Sequence, residues 1–238
     1  MTDYSTRKAL PGLSFPEESL KRLAHELSTR FDGVFAGETV ERYVLESYTA
    51  LLRTSKVKAH LTSRTAHFAG ERLTALAQAK GAVASPVPEV LFVCVQNAGR
   101  SQMAAVFAGA LSGGAVHVRS AGSMPSTQLN PSVVLAMTEL GLSMDEAFPK
   151  PLTDDVVQAA DVVITMGCGD ACPIYPGKRY VDWNLVDPGD LPLETVRGIR
   201  DQIRGKVTDM LAGLGVDTVA LPGVSGVSGV STVSGPSA

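Results

Sequence analysis

Long apolar runs, aromatic residues and an excess of either charge are all scarce in this 238-residue chain. No stretch approaches the roughly 20 consecutive apolar residues that a spanning helix needs. The N-terminus "MTDYSTRKALPGLSFPEESL" has no basic segment leading into an apolar one, so a secretory leader is not expected. A soluble cytoplasmic protein with no membrane partner follows as the expectation. Lys and Arg number 21 against 24 Asp and Glu, a net charge of −3. That balance leaves no footprint for nucleic acid, and any anion site has to be local. With only three cysteines, Cys94, Cys168 and Cys172, the chain cannot close a disulfide framework. In a reducing compartment such residues are catalytic, metal-binding or buried. A second Cys/His pair at ligand spacing is also missing, and the four histidines at 25, 60, 67 and 117 are scattered. Neither a metal site nor another cofactor is expected.

What is present divides the chain into three. From Ser14 to Lys80 apolar residues recur at helical spacing in three blocks. Ser14 and Glu17 in "SFPE" have the spacing of a capping box, with Pro16 suited to a first turn. Leu20, Leu23, Ala24, Leu27 and Phe31 then share one face, and "DG" at Asp32 and Gly33 ends the block. Val40, Tyr43, Val44, Tyr48, Leu51 and Leu52 form the second stripe, and Leu61, Phe68, Leu73, Leu76 and Ala77 the third. This predicts a small three-helix bundle over residues 1–85. Its charges are mixed in sign, which argues against a DNA-reading helix. The modest size of such a core motivates self-association, a homodimer through the bundle, with Tyr43, Tyr48 and Phe68 belonging either to the bundle's own core or to the self-association surface.

"GAVASPVPE", Gly81 to Glu89, reads as a linker. Beyond it strand-like and helix-like runs alternate: "VLFVC", a helix from Arg100, "AVHVRSAG", a helix near Pro131 to Leu140, "DVVITM", and a helix near Leu193 to Leu214. Alternation of this kind predicts an α/β domain over residues 86–216, a parallel sheet with helices on both faces. The closing "GVSGVSGVSTVSGPSA" has neither charge nor aromatics, and residues 217–238 are expected to be a disordered tail.

Chemistry concentrates in "EVLFVCVQNAGRS", Glu89 to Ser101. Cys94 closes an apolar strand and Arg100 opens a helix, with Val95, Gln96, Asn97, Ala98 and Gly99 between them. A strand–loop–helix turn of this length directs backbone N–H groups inward, beside the positive end of the helix, and so cradles a tetrahedral oxyanion. Arg100 adds a planar fork for two of its oxygens. The same field should favour a thiolate at Cys94. Ser101 can hydrogen-bond the sulfur, and Asn97 tolerates a left-handed turn.

These residues resemble the low-molecular-weight protein tyrosine phosphatases and the arsenate reductases that share their fold. The resemblance covers about Glu89 to Val216 and rests on "CVQNAGRS", on "SAGS" at Ser120 to Ser123 and on "DP" at Asp187 and Pro188. It implies a four-stranded parallel sheet, Cys94 as nucleophile, Arg100 as oxyanion clamp and Asp187 as general acid. A carboxyl group on a Pro-Gly loop suits that last role, since it can swing over the anion and protonate the departing oxygen.

Two features separate the branches of the family. The phosphatases surround the site with aromatic residues, yet "DPGDLPLETVRGIRDQI" contains none. The thioredoxin-coupled reductases carry two further cysteines ahead of the DP loop, and this chain has "MGCGDACPIYPG" there. The resemblance therefore implies arsenate reduction followed by a thiol relay through Cys168 and Cys172. Three residues separate these two cysteines, a closer spacing than in the thioredoxin-coupled enzymes. Resolution by mycothiol or glutathione with a glutaredoxin-like partner stays open as the alternative to thioredoxin. A phosphomonoesterase would have no use for Cys168 and Cys172. A non-catalytic arsenic or redox sensor would have none for the anion cradle or Asp187.

Overall fold

In the strand β1, Glu89–Cys94, every residue is buried, and an uninterrupted buried run marks a strand with both faces covered. The computed structural model describes residues 16–55, 60–167, 169 and 172–221. Ser14, Cys168 and the Gly-Val-Ser run from 222 onward lie outside these described residues. β1 pairs in parallel with β2, His117–Gly122, and with β3, Val162–Met166. β4, Arg179–Asp182, adds to β3, so the sheet is parallel throughout with the order β2-β1-β3-β4. The expected four-stranded parallel sheet is thus present.

Alternation along β1 sorts its residues between two cores. Val90, Phe92 and Cys94 join one with α4, Arg100–Ser112, α5, Pro131–Thr138, and α7, Leu193–Gly213. Leu91 and Val93 face the other, which holds α6, Asp154–Ala159, and also Cys172. Trp183 is buried in the first core, its ring 5.7 Å from that of Phe92.

The three N-terminal helices are α1, Glu17–Arg30, α2, Gly37–Thr54, and α3, Leu61–Ala79. Their predicted stripes are buried, apart from Leu52 and Leu76, which pack at the margin. Tyr43, Tyr48 and Phe68 lie inside this core rather than on a surface available to a second copy. α1 begins after Pro16, with no side-chain cap.

The bundle is joined to the sheet domain more closely than the linker suggests. α3 packs on α6, and its Ala75 belongs to the second sheet core. Phe148 crosses the other way, from the sheet domain into the core of the bundle. Glu89, the end of the expected linker, is a buried partner of Arg119, His117 and Gln78. Packing also runs past 216, where the Val219 N–H donates to the Leu111 carbonyl at 2.8 Å. Among the described residues no helix is long and apolar enough to cross a membrane.

Candidate active site

Five residues carry the chain from the end of β1 to the start of α4, and their carbonyls are held from outside. Those of Cys94, Val95, Gln96 and Ala98 accept from the N–H groups of Ser123, Met124, Ser126 and Asn130 at 2.8 to 3.2 Å. This leaves the N–H side of the loop for the sulfur and for an anion. Cys94 is 2% exposed. Its Sγ accepts from the Asn97 N–H at 3.2 Å and lies 3.0 Å from Ser101 Oγ.

Asn97 holds the bend. It sits at φ +47°, fully buried, a left-handed conformation that asparagine adopts more readily than most residues. Its Nδ2 donates to Ser101 Oγ at 2.8 Å, and its Oδ1 accepts from Gln102 Nε2 at 3.0 Å and from the Lys150 N–H at 2.8 Å. Gly122 lies behind the loop. A Cβ there would fall 2.8 Å from the Val95 carbonyl oxygen and 2.9 Å from Asn97 Cβ, closer than any side chain tolerates, so the packing of β2 against the loop requires glycine.

Arg100, the first residue of α4, is buried and turns toward the DP loop. Its Nη1 donates to the Leu185 carbonyl at 3.1 Å, and its Nη2 pairs with Asp187 Oδ2. Asp187 Oδ1 accepts from the Gly189 N–H at 3.0 Å, and the side chain remains half exposed. The fold therefore brings Cys94, Arg100 and Asp187 to one small cleft, lined also by Gln96, Gly99 and Asn130. A thiol, an N–H loop at a helix N-terminus, a guanidinium and a carboxyl group within one cleft suit nucleophilic attack on a tetrahedral oxyanion.

Asn130 went unremarked in the sequence, although Asn before Pro131 is a helix-start signal. Its Oδ1 caps α5 by accepting from Ser132 N at 2.9 Å, while Nδ2 donates to the Gly189 carbonyl at 2.6 Å. One side chain thus ties α5 to the DP loop. Cys172 is buried in the sheet core opposite Cys94. Cys168 lies outside the described residues, between Gly167 and Gly169 at φ +75° and +54°.

Comparison with known proteins places these observations. Residues 89–219 match the family model for low molecular weight phosphotyrosine protein phosphatase, and residues 20–77 match that for a protein-tyrosine-phosphatase-like N-terminal domain. A thioredoxin-dependent arsenate reductase from Corynebacterium glutamicum superimposes with a TM-score of 0.75 at 46% identity, over 83% of this chain and 97% of that one. A glutaredoxin arsenate reductase from Synechocystis is 34% identical over 127 residues, 52% of this chain and 96% of that protein. An arsenate reductase from Staphylococcus epidermidis is 30% identical over 122 residues, 50% of this chain and 91% of its own length.

Proposed function

The chain belongs to the low molecular weight phosphotyrosine protein phosphatase family, and within that family we propose that it is an arsenate reductase with Cys94 as its nucleophile. The observation that carries this reading is the pairing of the Cys94 to Arg100 anion loop with two further cysteines at 168 and 172. Ester hydrolysis needs only the former. The 46% identity to the Corynebacterium enzyme extends over the helical unit as well as the sheet domain and supports the same assignment.

Arsenate is held by the loop N–H groups and by Arg100, whose fork matches two of its oxygens. The Cys94 thiolate attacks arsenic, and an oxygen leaves as water with a proton from Asp187, giving a thiol–arsenate adduct. Cys168 attacks the Cys94 sulfur. The electron pair of the S–As bond stays on arsenic, arsenite leaves, and a Cys94–Cys168 disulfide remains. Cys172 then attacks Cys168, returning the Cys94 thiol and leaving a Cys168–Cys172 disulfide. Because Cys172 packs on the face of the sheet opposite Cys94, the direct attack falls to Cys168. A two-electron external dithiol closes the cycle. Thioredoxin is the proposed donor, after the thioredoxin dependence of the Corynebacterium relative. A glutaredoxin system is the competing one, after the Synechocystis relative.

Arsenite release from purified protein given arsenate and a thioredoxin system tests the reading, alongside Cys94→Ser, Cys168→Ser and Cys172→Ser. Each serine change is expected to abolish turnover. Turnover that survives loss of Cys168 and Cys172 but needs a small thiol overturns the internal relay. Hydrolysis of an aryl phosphate without arsenite production overturns the reductase assignment.

A further inference from the structure

The residues that reach Asn97 from behind do not stop at the sheet domain. "FPKP", Phe148 to Pro151, runs as a strap beside the end of β2. Pro151 bridges in parallel to Gly122, whose N–H donates to the Lys150 carbonyl and whose carbonyl accepts from the Leu152 N–H, both at 2.9 Å. Pro149 and Pro151 have no N–H and fix their own φ angles. Lys150 is therefore the donor between them, and its N–H goes to Asn97 Oδ1.

The helical unit grips this strap at two points. The Phe148 ring is buried in the bundle core, with the His67 ring 5.7 Å away and the Arg64 guanidinium 5.6 Å above it. The Phe148 carbonyl accepts from Gln102 Nε2 at 2.9 Å, and the same amide group reaches Asn97 Oδ1. The Lys150 ammonium lies between the two Glu71 oxygens at 2.9 and 3.0 Å, and both side chains are largely buried. A short run of contacts thus leads from Glu71 on α3 through Lys150 and Asn97 to Ser101 and Cys94 Sγ.

We infer that the N-terminal helical unit belongs to the catalytic apparatus: through Glu71 and the seat of Phe148 it sets Lys150, a positioning residue whose main-chain N–H holds Asn97 in the bend that presents donors to Cys94. A left-handed residue is maintained only where its surroundings over-determine it. Two of the three groups bonded to the Asn97 side chain and carbonyl, Lys150 N–H and Gln102 Nε2, are themselves fixed by this strap, the third being Ser101 Oγ. Neutralising Glu71 leaves a buried ammonium without its counter-charge, and the strap loses its hold on the loop. The inference rests on Cys94 as the nucleophile of the proposed reaction.

The test is the rate of iodoacetamide alkylation of Cys94 in the full-length protein, resolved from the other cysteines by peptide mass spectrometry and followed across the pH range in which thiols ionise. Glu71→Gln and Lys150→Met are expected to move the profile toward higher pH. They should slow alkylation at neutral pH roughly threefold to tenfold, the effect of weakening a hydrogen bond to a charged sulfur. Lys150→Arg, which keeps the ion pair, should restore the parental rate. Val40→Ala serves as the control, since Val40 is fully buried in the same helical core; it should lower stability without slowing alkylation. Profiles of Glu71→Gln and Lys150→Met that superimpose on the parent overturn the inference, and so does a Val40→Ala profile displaced as far as theirs. Alkylation reads the sulfur directly, so failure of the parent to make arsenite would strike the functional assignment and not this one.

Discussion

Arg100 and Asp187, 87 positions apart in the chain, form an ion pair across the mouth of the Cys94 loop. The oxyanion clamp and the proton donor of the proposed reaction are thereby bound to one another, with the buried guanidinium also anchored on the Leu185 carbonyl. An anion entering the loop would meet a guanidinium already paired with the Asp187 carboxylate, and in the proposed reaction it competes for the same fork.

Asp187→Asn keeps a hydrogen-bond acceptor for Arg100 but has no acidic proton to give. Single-turnover arsenite formation should fall by about 10²- to 10⁴-fold, the usual worth of general acid catalysis. Alkylation of Cys94 should persist in the same protein. A variant that makes arsenite at the parental rate removes Asp187 from the mechanism.

Gly99→Ala tests how closely the DP loop must approach. A Cβ at this position would lie 2.7 Å from Pro188 Cγ, and a proline ring cannot swing aside like a flexible side chain. The DP loop should be displaced, with turnover lowered on the order of a hundredfold, as expected for a misplacement near 1 Å. Gly99 and Pro188 are both buried, so part of the strain should also appear as a lower urea midpoint. Parental turnover would mean that the loop position does not limit the reaction.

Glu89→Gln makes a pH-dependent stability prediction. Burial pushes the Glu89 carboxyl upward, but the hydrogen bond from His117, the Arg119 charge and the Ser85 hydroxyl outweigh it and hold the group at about 2, against an ordinary 4.5. A depressed carboxylate stabilises the fold fully above its unfolded value and loses that contribution as pH falls from about 4.5 toward 2. The contribution at neutral pH is about 3 kcal/mol. Urea unfolding should therefore show the parent well ahead of Glu89→Gln at neutral pH, with the gap closing as the pH approaches 2. A gap that stays constant across that window would rule out the carboxylate as its source.

Asp155→Ala probes the contact between α3 and α6. Arg72 Nε and Nη2 donate to Asp155 at 3.3 to 3.4 Å, and both residues are buried. Removing the acid leaves the buried guanidinium with the half-exposed Glu46 carboxylate, at 3.2 Å, as its remaining counter-charge, at a cost of about 3 kcal/mol in denaturant unfolding. Replacing both at once, Arg72→Met with Asp155→Leu, should cost clearly less. Equal losses for the single and double variants would show that the pair itself, rather than the under-compensated guanidinium, supplies the stability.

Cys94 and Arg100 were legible in the sequence because they lie on one short strand–loop–helix segment, where spacing alone sets which groups face an anion. The helical stripes were legible for the same reason, since a 3.6-residue period is a local property. Two elements gave no such signal: α6 has six residues and β4 has four, too few to display a period. The linker from Gly81 reads as loop from its Gly, Ser and Pro content, yet it delivers Glu89 into a buried cluster whose partners, Arg119 and Gln78, lie 30 and 11 positions away.

By itself, then, the sequence determined the cysteine at the strand end, the loop that carries it into a helix, the parallel sheet behind it and a helical unit ahead of it, each a consequence of near neighbours in the chain. Only the tertiary structure decided that Asp187 meets Arg100, that Asn130 joins α5 to the DP loop, and that Glu71 reaches Asn97 through Lys150. These are contacts between distant segments, and the physical reason they escape the sequence is that closing each loop depends on how whole elements pack, not on the identity of the residues that finally touch.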